Sequence, residues 1–139
     1  MSDYDDLIEA LLEKRRARLA FSAQNTREAA LLADAIEIRL GAPEGSIRII
    51  DRNGVSGDEA NLLALDDPAQ VEFTLTMTVE FEMEILSTAR VKIMRIRQSD
   101  GTEIYTVAGE RIATSSFNEP VMVDTAMAAL RLAAMDQKV

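Results

Sequence analysis

Residues 71–85 read Val-Glu-Phe-Thr-Leu-Thr-Met-Thr-Val-Glu-Phe-Glu-Met-Glu-Ile. Every odd position from Val71 to Ile85 is apolar, and every even position from Glu72 to Glu84 is polar. Successive side chains on a β-strand point to opposite faces, so unbroken alternation means a strand with one dry and one wet face. At ~3.3 Å per residue the stretch spans roughly 50 Å if straight. Ordinary strands have about five or six residues. The segment is therefore expected to bend around a core or to project as a long arm.

Residues 89–98 are its natural partner. Their apolar phase changes midway, because Val91 and Ile93 are odd whereas Met94 and Ile96 are even. A β-bulge near Ile93–Met94 would return both halves to one buried face. With a turn at Ser87–Ala89, Glu84 faces Lys92, and beyond the bulge Glu82 faces Arg95 and Glu80 faces Arg97. Opposite charges across a strand pair are favourable, so Glu80, Glu82, Glu84, Lys92, Arg95 and Arg97 form the first candidate interaction surface. Asp100-Gly101 reads as a two-residue type I′ turn, which would pair Ile96 with Tyr105 and Met94 with Val107. Gly109 allows a further turn into a strand over Glu110–Ser116.

Before the alternating stretch, Ser46–Asp51 reads as a short strand, and Asn53-Gly54 as a turn. The segment 55–70 is expected to be a mobile loop. Leu62, Leu63 and Leu65 could make one helical turn there, stopped by Asp66-Asp67-Pro68. Asp66 and Asp67 suit turn positions before proline better than metal ligation.

Two helices are expected ahead of these strands. The first runs from about Asp3 to Leu19, capped by Ser2, with Leu7, Ile8, Leu11, Leu12 and Leu19 at helical spacing. Asp3, Asp5 and Asp6 open it, and Lys14, Arg15, Arg16 and Arg18 close it, as the helix macrodipole favours. The same four bases are the second candidate site, an anion patch. No aromatic residue is interleaved among them, so a stacking platform for single-stranded nucleic acid is not supported. The second helix starts at Asn25, with Glu28 approximating a capping box, and ends at Gly41 before Pro43. A single continuous, bent helix is the alternative to this hairpin. A last helix runs from about Glu119 to Met135, with Pro120 in its first turn and Ser116 or Asn118 as cap. Its alanines at 126, 128, 129, 133 and 134 permit close approach to a neighbour.

The elements assemble into one α+β domain over residues 1–139. The expected architecture is two-layer, a mainly antiparallel β-meander of about five strands with two N-terminal helices and one C-terminal helix. Aromatics are 4% of the chain and there is no Trp, so Leu, Ile, Val, Ala and the seven Met must build the core. Met77, Met83, Met94, Met122, Met127 and Met135 read as gap-filling core more readily than as a promiscuous groove.

Chemistry is narrowed by what the chain lacks. Without Cys there is no disulfide, thiolate nucleophile or Cys-ligated metal, and without His the commonest general base and zinc ligand are gone. Gly41, Gly45 and Gly54 are too scattered for a phosphate loop. Glu80, Glu82 and Glu84, about 6–7 Å apart along a strand face, could hold a metal or act as paired acids; a solvated face neutralised by the facing bases is the simpler reading. No cofactor is expected.

The net charge is −9, with −6 in residues 1–70 and −3 in residues 71–139. Spread acidity disfavours nucleic acid and anionic lipid. The first residues lack the basic and apolar regions of a signal peptide, and no apolar run is long enough to span a bilayer. A cytoplasmic protein that binds itself or other proteins is expected, not an enzyme. The leading reading is a homo-oligomeric structural protein acting through the long hairpin and helix surfaces, for which a phage virion component is one setting. The alternative is a small acidic binding module, such as a secretion-type chaperone or an inhibitor of a basic partner. A metal-dependent carboxylate enzyme ranks third.

Overall fold

The computed structural model describes residues 2–56, 60, 62, 70–98 and 100–136. Its elements are α1 (Asp3–Leu40), β1 (Ile47–Ile50), β2 (Gln70–Phe81), β3 (Glu84–Arg97), β4 (Glu103–Val107), β5 (Glu110–Ile112) and α2 (Pro120–Met135). The strands form one antiparallel sheet in the order β1-β2-β3-β4-β5. The α+β meander of five strands matches the sequence expectation. The helix count does not: one helix occupies the place of the expected N-terminal pair.

The reason lies in residues 20–26. No Gly or Pro occurs between Met1 and Leu40, so nothing forces a break. Asn25 does not cap a new helix. Its Nδ2 donates to the Phe21 carbonyl at 2.8 Å, and Thr26 Oγ1 donates to the Ser22 carbonyl at 2.9 Å. Both side chains thus bond back into the preceding turn. Ser2 caps the start by accepting from the Asp5 N–H, and Gly41, at φ +67°, ends the helix in the left-handed conformation that glycine adopts at no steric cost.

Only the second half of α1 packs on the sheet. Ala29, Leu32, Ala33 and Ile36 join Val71, Phe73, Leu75 and Met77 of β2, Val91 and Ile93 of β3, and Met122, Ala126 and Leu130 of α2 in one buried cluster. Phe117 lies edge-on to Phe73 and Tyr105, at centroid distances of 5.1 and 5.4 Å. Burying such side chains stabilises by about 1.5–3 kcal/mol each. The buried Glu37 carboxylate accepts the Ile47 N–H at 3.1 Å, tying α1 to the start of the edge strand β1. An Arg39–Asp124 ion pair links α1 to α2.

The β2–β3 hairpin departs from expectation in three places. The turn sits at Glu82–Met83, inside the alternating stretch, not at Ser87–Ala89. Both turn residues have positive φ, 50° and 67°, as a type I′ turn requires. The irregularity lies near the tip, where Val79 pairs with Ser87 but Glu80 with Ile85, leaving Leu86 as the extra residue. No bulge occurs at Ile93–Met94. There β3 keeps its phase, and Arg95 occupies the inward position that the sequence pattern assigned to an apolar residue.

The β3–β4 register is also one residue from expectation. Ile96 faces Ile104, Arg95 faces Tyr105 and Met94 faces Thr106. Gln98 donates to the Thr102 carbonyl and Gly101 to that of Gln98, so the loop is one residue longer than a two-residue turn. Gly101, at φ +87°, takes the left-handed position of such a three-residue loop. β5 is shorter than expected, ending at Ile112. Glu119, not Ser116 or Asn118, is the N-cap of α2; its carboxylate accepts from the Thr114 and Ser115 hydroxyls, which hold it below the usual carboxylate range.

In the segment expected to be a loop, Leu62 is fully buried and its carbonyl accepts the Glu72 N–H at 2.7 Å. Leu63, Leu65, Asp66 and Asp67 lie outside the described residues.

Candidate interaction surfaces

Among the described residues, exposed apolar side chains gather mainly in two groups at opposite ends of the molecule. The first is the α1 arm, residues 3–20, every one of them exposed. Eighteen residues of helix span about 27 Å. Tyr4, Leu7, Ile8, Leu11, Leu12 and Leu19 are between 40% and 69% exposed, although their spacing makes a coherent stripe. A shallow groove of about 230 Å³ runs between Ile8, Leu11, Leu12 and Arg15.

Lys14, Arg15, Arg16 and Arg18 also lie on this arm. The structure removes the expected dipole explanation for them, because the helix continues to Leu40 and these bases sit near its middle. Acidic residues occupy the outer part (Asp3, Asp5, Asp6, Glu9, Glu13) and basic ones the inner part.

The arm is rooted by Arg95. This side chain is only 7% exposed. Its guanidinium carbon stands 4.6 Å from the Phe21 ring centroid, 5.3 Å from Phe117 and 5.9 Å from Tyr105. Glu28 of α1 and Glu103 of β4 approach it at 4.0 and 3.9 Å. Those distances are long for hydrogen bonds, and Nη2 has no hydrogen-bond partner. The rings therefore carry much of the contact, as cation–π stacking does where water is excluded. Arg97 adds its own cation 5.2 Å from the Phe21 ring and pairs with Glu103 at 3.1 Å. Tyr105 Oη lies 3.1 Å from Glu103 Oε2 and 3.0 Å from the Ser115 carbonyl, one proton for two acceptors. Burial pushes this phenol up, partly offset by the Arg95 charge.

The second surface is the hairpin tip. Val79, Phe81, Met83, Ile85 and Leu86 are exposed, Met83 almost completely. Ser87 at its base donates to the Ala134 carbonyl, which brings the exposed Leu132 and Met135 of α2 to the same end. The last turn of α1 leads into β1, and Thr78 donates to Ser46 just before the tip. Phe21 stands instead beside Arg95 and Arg97, at the far end of β3. The arm and the tip therefore point away from each other.

The residues expected to form a charge ladder are not brought together. Glu80, Glu82 and Glu84 are exposed at the tip, far along the strands from the bases assigned to them. Lys92 pairs with Glu72 at 3.0 Å, Arg97 with Glu103, and Arg95 is buried. The register error explains this: with the turn at Glu82–Met83, Lys92 falls opposite Thr74 and Arg95 opposite Val71. What sequence reasoning missed is the inward Arg95. The one available signal was the phase change at Met94, read there as a bulge. Among the described residues no group of three or more acidic side chains is placed to hold a metal ion, and no helix is long and apolar enough to cross a membrane.

A further shallow cavity of about 330 Å³ lies between α1 and the edge strand, lined by Ala30, Ala33, Asp34, Ile47, Arg48 and Ile49 among others. No family model, curated protein or solved structure matches the chain.

Proposed function

We propose that this protein is a non-catalytic assembly component that builds a homo-oligomer through its two exposed poles. The domain is read as two-layer, with both helices over the inward face of the sheet, so that neither helix covers the arm or the tip. The observation that carries the reading is the placement of apolar surface. Exposed large apolar side chains are grouped on a projecting helix and a projecting hairpin, while on the body Leu31, Ile38, Val55 and Val121 are exposed outside those groups. Isolated exposed apolar residues are ordinary, but grouped ones mark contact sites.

The hairpin turn supports the same reading. Glu82 and Met83 hold positive φ without being Gly or Asn, at a position where Asn-Gly would be easier. Local strain that is kept at an exposed apex points to side chains used there. A virion built in the cytoplasm is one setting that needs such a component.

The test is mass in solution by light scattering across a concentration series. The wild-type chain is expected to form oligomers, and Phe81→Asp with Leu86→Asp or a double arm variant Leu11→Asp/Leu12→Asp to shift the mass downward. A wild-type monomer that persists at high concentration overturns the proposal. In that case the binding-module reading gains, favoured by the edge position of β1, bridged by Ser56 at Ile50, beside the Asp34-lined cavity, where a segment of a basic partner could add along Ile47–Ile49.

A further inference from the structure

Resting on the assembly reading above, we infer that the α1 arm binds the same arm of a second copy, laid antiparallel about a two-fold axis near Ile8 and Leu11. Four observations converge. Every residue of the arm is exposed and none joins the buried cluster, whereas helices in proteins draw most of their stability from packing an apolar face. Tyr4, Ile8, Leu11 and Arg15 follow one another at intervals of four, three and four residues, the spacing of a two-helix seam. The charges are segregated, acidic from Asp3 to Glu13 and basic from Lys14 to Arg18. The partner's tip also has room.

The register follows from the seam. Setting Ile8 opposite Leu11 of the second copy sets Leu11 opposite its Ile8, and Tyr4 opposite its Arg15 at both ends. The guanidinium of Arg15, which otherwise interrupts the apolar stripe, then lies over a tyrosine ring. Asp3 and Asp5 of each copy come alongside Lys14 and Arg16 of the other, on the two flanks of the seam. A parallel pair would stack Asp on Asp and Arg on Arg instead, and like charges so placed are repulsive. In the antiparallel register Asp3 of one arm reaches the level of Arg16 of the other and Ser2 that of Ala17, short of the Phe21 root. Such an interface is isologous and closes at two copies. The hairpin tips are left at the outer ends, free for a second kind of contact.

The chain has no Cys, so single-cysteine variants report only the intended contact. A disulfide needs Cα atoms within about 4.4–6.8 Å. Tyr4→Cys chains mixed with Arg15→Cys chains under mild oxidation are expected to give the mixed disulfide dimer on a non-reducing gel. The second Tyr4–Arg15 layer of that mixed pair stays intact. Either variant alone is expected to stay uncrosslinked, because like positions are eleven residues out of register, about 16 Å along the axis. The charge variant Lys14→Glu/Arg16→Glu is expected to weaken the dimer at least tenfold. A disulfide from Tyr4→Cys alone would overturn the inference in favour of a parallel pair. An oligomer with no crosslink in the mixture would overturn it while leaving the assembly reading standing on the hairpin. A monomeric wild type would remove both.

Discussion

Replacing Arg95 separates two accounts of how the arm is rooted. In Arg95→Ala the guanidinium leaves three rings at 4.6, 5.3 and 5.9 Å. Desolvated cation–π contacts contribute about 0.5–2 kcal/mol each and do not add fully. The side-chain stem also vanishes, at about 0.8 kcal/mol per buried methylene. Glu28 and Glu103 lose their counter-charge. Removing one partner of a buried pair costs about 3–5 kcal/mol, but these carboxylates are 16% and 27% exposed and can turn toward water, which cuts that contribution. A loss of about 3–4 kcal/mol follows. In Arg95→Met the stem and most of the volume stay, and the unpartnered Nη2 disappears, so about 1 kcal/mol is expected. Urea unfolding followed by circular dichroism, at one fixed protein concentration, measures both. In Tm the alanine variant should fall by about 10–15 °C and the methionine variant by under 5 °C, taking roughly 3–5 °C per kcal/mol for a chain this size. If alanine costs less than 1 kcal/mol, or methionine costs as much as alanine, the cation is not held by its rings as argued.

Other perturbations address separate parts of the structure. Glu82→Asn with Met83→Gly relieves two positive-φ positions and should raise stability by about 1–2 kcal/mol, seen as a higher urea midpoint with unchanged slope; a lower midpoint would mean the turn is not strained. Asp51→Ala removes the carboxylate that accepts the Asn53 and Val55 N–H groups at 2.8 and 2.9 Å and should cost about 1–3 kcal/mol, with loss of hydrogen-exchange protection at Val55. The Tyr105 phenol is raised above its usual value of 10.0, so the folded state keeps a proton that the unfolded state releases. This group therefore leaves stability unchanged below pH 10 and lowers it as pH rises from there through the folded value; Tyr105→Phe should flatten that decline, and an identical alkaline profile would count against the burial argument.

The sheet was legible because its determinants are local. Alternation in residues 71–81, the glycine turns and the order of elements follow from side-chain period and turn chemistry, which act over a few residues. So did the final helix, from its proline start and apolar spacing. The register was not legible. A two-residue turn followed by one extra residue at Leu86 restores the same inward phase as a later turn would, so the apolar pattern fits both, and only the packed sheet distinguishes them. The charges near the hairpin misled for the same reason: Lys92 and Arg97 find acids, but on Glu72 and Glu103.

The sequence by itself determined the α+β class, the strand sequence of the meander and the acidic, His- and Cys-free chemistry of the chain, since each depends on composition or on neighbours close along the chain. Tertiary structure alone decided that the first half of α1 is left uncovered, that Arg95 lies inward beneath Phe21, and that apolar surface gathers at two opposite poles. Those outcomes depend on which distant elements compete to cover a given side chain. The stripe of Leu7, Ile8 and Leu11 reads the same in sequence whether a sheet covers it or water does.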